Sequence, residues 1–154
     1  MAHVRFGQAW SPMIMEDQAD VVVSMEPLEG LRVSVPYLKP GGWALLNTRP
    51  WISLDAAIGR APYPEMVDIV EGLTRLGARV LTLDATELAL QAGNERTANT
   101  VLLGGLLALG LLDLSEENLI SAMRDRWPEK LIAVNTRAFE LGKQEVMVQM
   151  ERQA

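Results

Sequence analysis

Eight polar residues are candidates for contact chemistry in this sequence, and they fall into two sets. Carboxylate, guanidinium, amide and hydroxyl groups bind partners through ion pairs and hydrogen bonds, without any reactive group nearby. Among them, Arg49 is the expected contact for an anion. The first set is Glu26, Glu29, Arg32, Asn47, Thr48 and Arg49, and the second set is Asn94 and Asn99.

Each candidate also has a structural explanation. Glu29 and Arg32 are three residues apart, so on a helix they form either a solvated ion pair, worth less than about 1 kcal/mol, or an interface contact. Asn47, Asn94 and Asn99 lie near apolar segments, where an asparagine either caps or anchors the backbone or contacts a ligand. The sequence leaves both alternatives open.

Residues for bond-breaking chemistry are scarce. There is no cysteine, which excludes Cys-His catalysis, a zinc knuckle and a cysteine-ligated iron–sulfur cluster, and His3 is the only histidine that a Ser-His-Asp triad could use. His3 itself is expected to be structural. No acidic metal-loop spacing, P-loop or dinucleotide fingerprint occurs. We therefore predict no catalytic residue, no metal ligand and no cofactor bound by this chain alone.

The composition and charge limit the kinds of partner that this chain is expected to bind. With 154 residues, 49% of them apolar, the chain suits one globular domain. A net charge of −6 without clustered Lys or Arg argues against nucleic-acid binding. The apolar stretch Val101 to Leu112 is too short for a membrane helix, which needs about 20 residues. We expect a cytoplasmic protein with no membrane partner.

The first set of candidate residues lies after two apolar segments, and these segments predict two strands whose ends would place the candidates close together. Val21-Val22-Val23 predicts a strand buried on both faces, Pro27 a helix start, Lys39 to Gly42 a turn, and Trp43 to Leu46 a second buried strand. This is a βαβ unit, whose parallel strands end at the same edge of a sheet. Ligands and partners gather at that edge in open α/β sheets.

Further elements complete an α/β fold, predicted as a three-layer α/β/α sandwich with a mostly parallel, mixed sheet. Trp51 and Ile52 are expected to be covered, either by this domain or by a partner. The other predictions are a strand over Ala2 to Trp10, a loop over Pro50 to Pro64, a helix over Glu65 to Leu76, a strand over Arg79 to Leu83, an Asp84 cap, a helix over Glu87 to Ala92, a long helix from Glu95, a helix from Ser115 with Ala122 inward, and a helix over Glu129 to Met150.

Several motifs, in this order, resemble the gamma-type domain of 2-oxoacid:ferredoxin oxidoreductases. The match most resembles the beta subunits of the indolepyruvate type, where a strand like Ala2 to Gly7 precedes the Ser-Pro turn. It covers nearly the whole chain. The motifs are Ser11-Pro12-Met13-Ile14, Ala19 to Val23, Met25 to Arg32, Tyr37 to Gly42, Asn47-Thr48, Asp84 to Ala89, Gly93-Asn94, Asn99 to Gly104 and Asn135 to Gly142.

The resemblance implies a subunit of a complex that oxidatively decarboxylates a 2-oxoacid, such as indolepyruvate or pyruvate, to an acyl-coenzyme A and reduces ferredoxin. It implies that thiamine diphosphate and the iron–sulfur clusters lie on partner subunits, and that this chain alone is inactive. The eight candidate residues would then face a partner or coenzyme A. Residues 1–154 would form a single gamma-type domain, truncated at its N-terminus relative to the family, and we expect the isolated chain to self-associate or be unstable.

Two alternatives compete with this hypothesis. In the first alternative, the chain would be an assembly or binding module with no part in catalysis. In the second, it would be a small S-adenosylmethionine-dependent methyltransferase. The methyltransferase reading rests on Leu38-Lys39-Pro40-Gly41-Gly42 before a strand, and it lacks the glycine-rich cofactor loop and its acidic ribose partner.

Overall fold

The computed structural model describes residues 1–51, 58 and 62–153. The chain divides into two compact units. The sheet unit comprises Met15–Thr82, and the helical unit comprises Met1–Ile14 together with Leu83–Ala154.

The sheet unit carries a three-stranded sheet with the strand order β1-β2-β3. β1 (Ala19–Ser24) pairs in parallel with β2 (Leu38–Asn47), and α1 (Pro27–Tyr37) connects them. α2 (Met66–Arg75) precedes β3 (Arg79–Leu83), whose last residue is assigned to the helical unit. This confirms the predicted βαβ unit and the α/β class. The three-layer arrangement stays a prediction.

Two features of the sheet differ from the sequence predictions. Lys39 to Gly42 is not a turn ahead of a strand, because these residues lie inside β2. The pairing moves from Ala19 opposite Leu38 to Val21 opposite Trp43, so the extra residues bulge out of the ladder, and Gly41 takes a φ of 76° there. Val23 is 38% exposed although Val22 is buried, so β1 is not buried on both faces as predicted.

The core of the sheet unit contains the apolar residues that were predicted to be buried in β2 and α2. Ala44, Leu45 and Leu46 of β2 are fully buried, as the sequence predicted for this strand. Ile69 and Leu73 of α2 are fully buried as well, which confirms the helical stripe predicted between Glu65 and Leu76. β3 has the predicted bounds.

The helical unit contains α3 (Ala85–Ala92), a 3-10 turn (Glu95–Thr97), α4 (Ala98–Ala108), α5 (Glu116–Arg126) and α6 (Glu129–Gln153). The Asp84 side chain accepts a hydrogen bond from Glu87 N–H at 2.8 Å, which confirms the predicted cap. The long helix predicted from Glu95 instead begins with the 3-10 turn, and Ala122 of α5 is exposed rather than inward.

The segment from Ala2 to Trp10 is not a strand. A strand needs a neighbouring strand for its backbone groups, and this segment folds against the residues that follow it instead. Arg5 Nη1 donates to the carbonyls of Ser11 and Met13, at 3.4 and 3.2 Å. Ile14 N–H donates to His3 Nδ1 at 2.9 Å, so the histidine is structural, as predicted.

Within the described residues, no helix has both the length and the apolar character that crossing a membrane requires.

Candidate functional site

The first set of candidates lies at the carboxyl edge of the β1–β2 pair, as the βαβ unit predicts. Ser24 at the end of β1 lies opposite Leu46 of β2, so the two strands end side by side. Asn47 follows Leu46 and is 3% exposed. Its Nδ2 donates to the Met25 carbonyl at 3.1 Å, and its Oδ1 accepts from Arg49 N–H at 3.5 Å. Asn47 therefore joins the two strand ends, and its role here is structural.

The turn from β1 into α1 is held by short-range hydrogen bonds. Ser24 Oγ donates to the Glu26 carbonyl at 2.7 Å and accepts from Glu26 N–H at 3.3 Å. Glu26 then caps α1, because its Oε2 accepts from Glu29 N–H at 2.7 Å. Pro27 occupies the first helical position, where its missing N–H costs nothing. The turn therefore presents Met25 and Glu26 in one defined conformation.

Tyr63 is a member of this site that the sequence analysis missed. Its hydroxyl donates to Glu26 Oε1, so both oxygens of this carboxylate accept hydrogen bonds. Burial, the hydrogen bond to Glu26 and the negative charge of Glu26 together raise the pKa of Tyr63 to about 12. The contact spans 37 positions in sequence, so no local pattern signals it.

Glu29 and Arg32 form the ion pair that their spacing predicted. Both side chains are more than half exposed, at 58% and 63%. An exposed pair of this kind contributes less than about 1 kcal/mol to stability. The pair cancels its own charge on the surface of α1, and a role at an interface stays a prediction.

The chain around the end of β2 exposes both polar and apolar side chains. Thr48 is half-buried and Arg49 is exposed. Met25 is 48% exposed and Trp51 is 85% exposed, so the described part of this chain does not cover Trp51. Ile52 and most of the predicted loop from Pro50 to Pro64 lie outside the described residues.

The second set of candidates belongs to the helical unit. Asn94 caps the 3-10 turn, since its Oδ1 accepts from Arg96 N–H at 3.0 Å. Asn99 is exposed in the first turn of α4. Asn135, by contrast, is buried, and its Oδ1 accepts from Thr100 Oγ1 at 2.8 Å. Asn94 and Asn135 thus act as structural anchors here.

The helical unit also carries an open groove of about 840 Å³ between the end of α5 and the first half of α6. Trp127 and Ile132 provide its apolar part. Two arginines and two glutamates also line it, so their formal charges cancel and the groove favours neither an anion nor a cation. These four are Arg124, Arg137, Glu129 and Glu140.

A metal site is not found among residues 1–51, 58 and 62–153, where no group of three His, Cys, Asp or Glu side chains comes together. The described site therefore offers hydrogen bonds, apolar surface and balanced charge. These properties suit the recognition of another molecule. The structure thus defines a class, an α/β protein whose described residues place hydrogen-bonded side chains at the carboxyl edge of a parallel strand pair.

Comparison with known proteins identifies the family within this class. The family model described as pyruvate ferredoxin/flavodoxin oxidoreductase matches residues 1–145. The chain belongs to this family, which confirms the resemblance drawn from its motifs. The methyltransferase alternative loses its support, because Lys39 to Gly42 lie inside β2.

Curated relatives agree with the family match. Indolepyruvate oxidoreductase subunit IorB of Thermococcus kodakarensis is 43% identical over 146 residues, which cover 92% of this chain and 71% of that protein. The subunit of the same name from Pyrococcus horikoshii is 38% identical over 144 residues, with the same coverage of both chains.

Two solved structures share the fold. The gamma subunit of a keto/oxoacid ferredoxin oxidoreductase from Geobacter sulfurreducens matches with a TM-score of 0.57 and 20% identity. Pyruvate oxidoreductase subunit PORC from Thermotoga maritima matches with a TM-score of 0.61 and 24% identity. Each match covers 84% of this chain and 64% of the solved chain, so this chain spans just under two thirds of their length.

Proposed function

We propose that this chain is a subunit of an indolepyruvate-type 2-oxoacid:ferredoxin oxidoreductase. The observation that carries the proposal is the 43% identity to an indolepyruvate oxidoreductase subunit over 92% of the chain, together with the family match over residues 1–145. The complex would oxidatively decarboxylate a 2-oxoacid to its acyl-coenzyme A and pass the electrons to ferredoxin, in the cytoplasm.

The chemistry in this proposal belongs to partner subunits. Thiamine diphosphate and the iron–sulfur clusters would be held there, and for the clusters this agrees with the lack of cysteine in this sequence. The chain itself contributes contacts and would be inactive alone. Its first set of candidates, from Glu26 to Arg49, would face the partner or coenzyme A at the carboxyl edge.

One observation favours the second candidate function, an assembly module without a catalytic part. The side chains of Glu26 and Asn47 form hydrogen bonds within the sheet unit, so these atoms are already used and do not face a partner. Under this alternative the chain stabilises the complex and touches no substrate.

Subunit omission tests both versions. The partner subunit is purified and assayed for 2-oxoacid-dependent ferredoxin reduction, with and without this chain. The proposal expects no turnover by this chain alone and a gain when the two are combined. An assembly module would raise the stability of the partner without changing its KM for coenzyme A, whereas a subunit that helps bind coenzyme A would change this KM.

A further inference from the structure

We propose that the groove between α5 and α6 binds an α-amino acid with an aromatic side chain. Such a ligand is a zwitterion, which carries one carboxylate and one ammonium group on an apolar body. The groove offers a matching set of groups, and all of them belong to the helical unit. This binding site is additional to the proposed function and does not depend on it.

The apolar wall of the groove is a fixed corner between two helices. Trp127 follows the last residue of α5, and its N–H donates to the Met123 carbonyl at 3.0 Å. Pro128 comes next, and its carbonyl accepts from Leu131 N–H at 2.8 Å in the first turn of α6. Trp127 is half-buried and lines the groove together with Ile132. An aromatic ring that enters the groove therefore buries its apolar surface against an indole whose backbone is held in place.

The charged groups of the groove are exposed and unpaired. Among the described residues, no ion pair or side-chain hydrogen bond engages any of the two arginines and two glutamates that line it. These guanidinium and carboxylate groups are thus available to a ligand. An anion alone would be repelled by the glutamates, and a cation alone would be repelled by the arginines. A ligand that carries both charges satisfies both kinds of group.

Arg137 and Glu140 are the two charged residues that best fit a zwitterion. They are three positions apart on α6, so they lie on the same helix face with their Cβ atoms about 5–6 Å apart. At the same spacing on α1, Glu29 and Arg32 do form an ion pair. There the glutamate precedes the arginine, which is the order that the helix dipole favours, whereas on α6 the arginine comes first. This order explains why the α6 pair stays open.

The proposed contacts follow from the chemistry of these side chains. The Arg137 guanidinium would bind the ligand carboxylate through two parallel N–H donors. The Glu140 carboxylate would accept hydrogen bonds from the ligand ammonium group, and the aromatic side chain would pack against Trp127.

The choice of probe is the one step that rests on the proposed function. A 2-oxoacid and an α-amino acid differ only in a keto oxygen that replaces the amino group, and transamination connects them. L-tryptophan is the amino counterpart of indolepyruvate. It is therefore the first probe, and L-phenylalanine is the second.

The test titrates the full chain with each amino acid and records nitrogen–proton correlation NMR spectra. A ligand of this size at ordinary efficiency binds with a Kd of about 0.1–1 mM. The chain has four tryptophans, and the variant Trp127→Phe identifies the indole N–H signal of Trp127 by its loss. That signal should shift saturably, and the other three should not. Saturable shifts confined to the other signals, or no saturable shift with either amino acid up to about 10 mM, would overturn the proposal.

Three analogues test the need for both charges and for the ring. Indolepropionate keeps only the carboxylate, tryptamine keeps only the ammonium group, and glycine keeps both charges without a ring. Each should bind at least about tenfold more weakly than L-tryptophan, because each leaves one part of the groove without its contact. An analogue that binds as tightly as L-tryptophan would contradict a zwitterion site.

Replacement of the two charged residues tests their assigned contacts. Arg137→Gln and Glu140→Gln should each raise the Kd for L-tryptophan by about 3- to 10-fold. Both residues are exposed, so the fold should stay intact, which circular dichroism checks. Glu71→Gln and Arg75→Gln are the matched controls, because Glu71 and Arg75 form an exposed ion pair on α2 and should leave the Kd unchanged. The same Kd in all four variants would show that Arg137 and Glu140 do not bind the ligand.

The binding experiment uses this chain without a partner subunit, so its outcome is separate from that of the proposed function. If neither amino acid binds, the groove site is wrong and the subunit assignment stands. If the subunit-omission assay fails while L-tryptophan shifts the Trp127 signal, the subunit assignment is wrong and the groove site stands.

Discussion

Asn47 is the residue on which the geometry of the carboxyl edge depends. Its buried side chain bridges the Met25 carbonyl and Arg49 N–H, so it connects the end of β1 to the chain leaving β2. A residue with this role need not touch a partner to affect binding. Its loss would change the conformation in which Met25 and Arg49 are presented.

Asn47→Ala should therefore lower the free energy of unfolding by about 1–3 kcal/mol, because it removes hydrogen bonds made by a buried side chain. Urea denaturation measures the change. Asn99→Ala is the matched control, since Asn99 is exposed on α4 and its replacement should cost less than about 0.5 kcal/mol. Equal losses in the two variants would contradict the role assigned to Asn47.

Tyr63 makes the stability depend on pH in the alkaline range. Its pKa is raised to about 12, above the ordinary value near 10, so the folded state favours the protonated hydroxyl. The stabilisation is complete below about pH 10 and is lost as the pH rises through about 12. Unfolding curves recorded across this range should show the loss.

Tyr63→Phe should remove this part of the alkaline loss, because phenylalanine has no hydroxyl to ionise. Glu26→Gln should reduce it, since the carboxylate charge and its hydrogen bond contribute to the raised pKa. An unchanged pH profile in Tyr63→Phe would show that Tyr63 does not cause the alkaline loss, and an unchanged profile in Glu26→Gln would show that the contact with Glu26 is not formed in solution.

At the scale of elements, the crossing of α4 and α6 organises the helical unit. The two helices approach closely at two glycines, and each glycine faces the backbone of the other helix. A Cβ atom at Gly104 would lie 2.0 Å from the Phe139 carbonyl oxygen, and one at Gly142 would lie 1.9 Å from the Val101 carbonyl oxygen. Backbone cannot move aside as a flexible side chain can, so the crossing tolerates only glycine.

Gly142→Ala and Gly104→Ala should each destabilise the protein by about 1–3 kcal/mol or more, because the helices must move apart. The melting temperature and urea midpoint measure this. Gly72→Ala is the control within α2, where the new methyl group would lie 3.4 Å from a Leu31 side-chain carbon. That change should be neutral or stabilising by about 0.5–1 kcal/mol, as glycine is a poor helix residue. If all three variants show the same change in stability, the close approach of α4 and α6 is not formed in solution.

The sequence predicted elements where local signals are strong. The helix near Glu65 to Leu76, the strand Arg79 to Leu83 and the Asp84 cap follow from periodicity and from capping chemistry, which depend on neighbouring residues only. The clustering of Glu26 with Asn47 followed from the βαβ rule.

The sequence predictions that were wrong or incomplete concern features that depend on contacts between residues far apart in sequence. The alternation in Ala2 to Trp10 looked like a strand, but no strand among residues 1–51, 58 and 62–153 pairs with this segment. The β-branched run Val21 to Val23 predicted a strand buried on both faces, but Val23 is 38% exposed, because the run does not reveal which face other elements cover. Tyr63 reaches Glu26 across 37 positions, which no spacing rule anticipates.

For the whole molecule, the central claim is that this chain works by docking. We base this proposal on family membership, the hydrogen bond from Asn47 to Met25 at the carboxyl edge and the exposure of Trp51. The sequence predicted the family from the order of its motifs. It could not show which surface is apolar, since exposure depends on how the elements pack.

The rate of ferredoxin reduction in the subunit-omission assay tests this claim most directly. Purified partner subunit, this chain, and an equimolar mixture of both are supplied with indolepyruvate, coenzyme A and ferredoxin. This chain alone should give no reduction, and the mixture should reduce ferredoxin faster than the partner alone. Ferredoxin reduction by this chain alone, or an identical rate for the partner with and without it, would contradict the account.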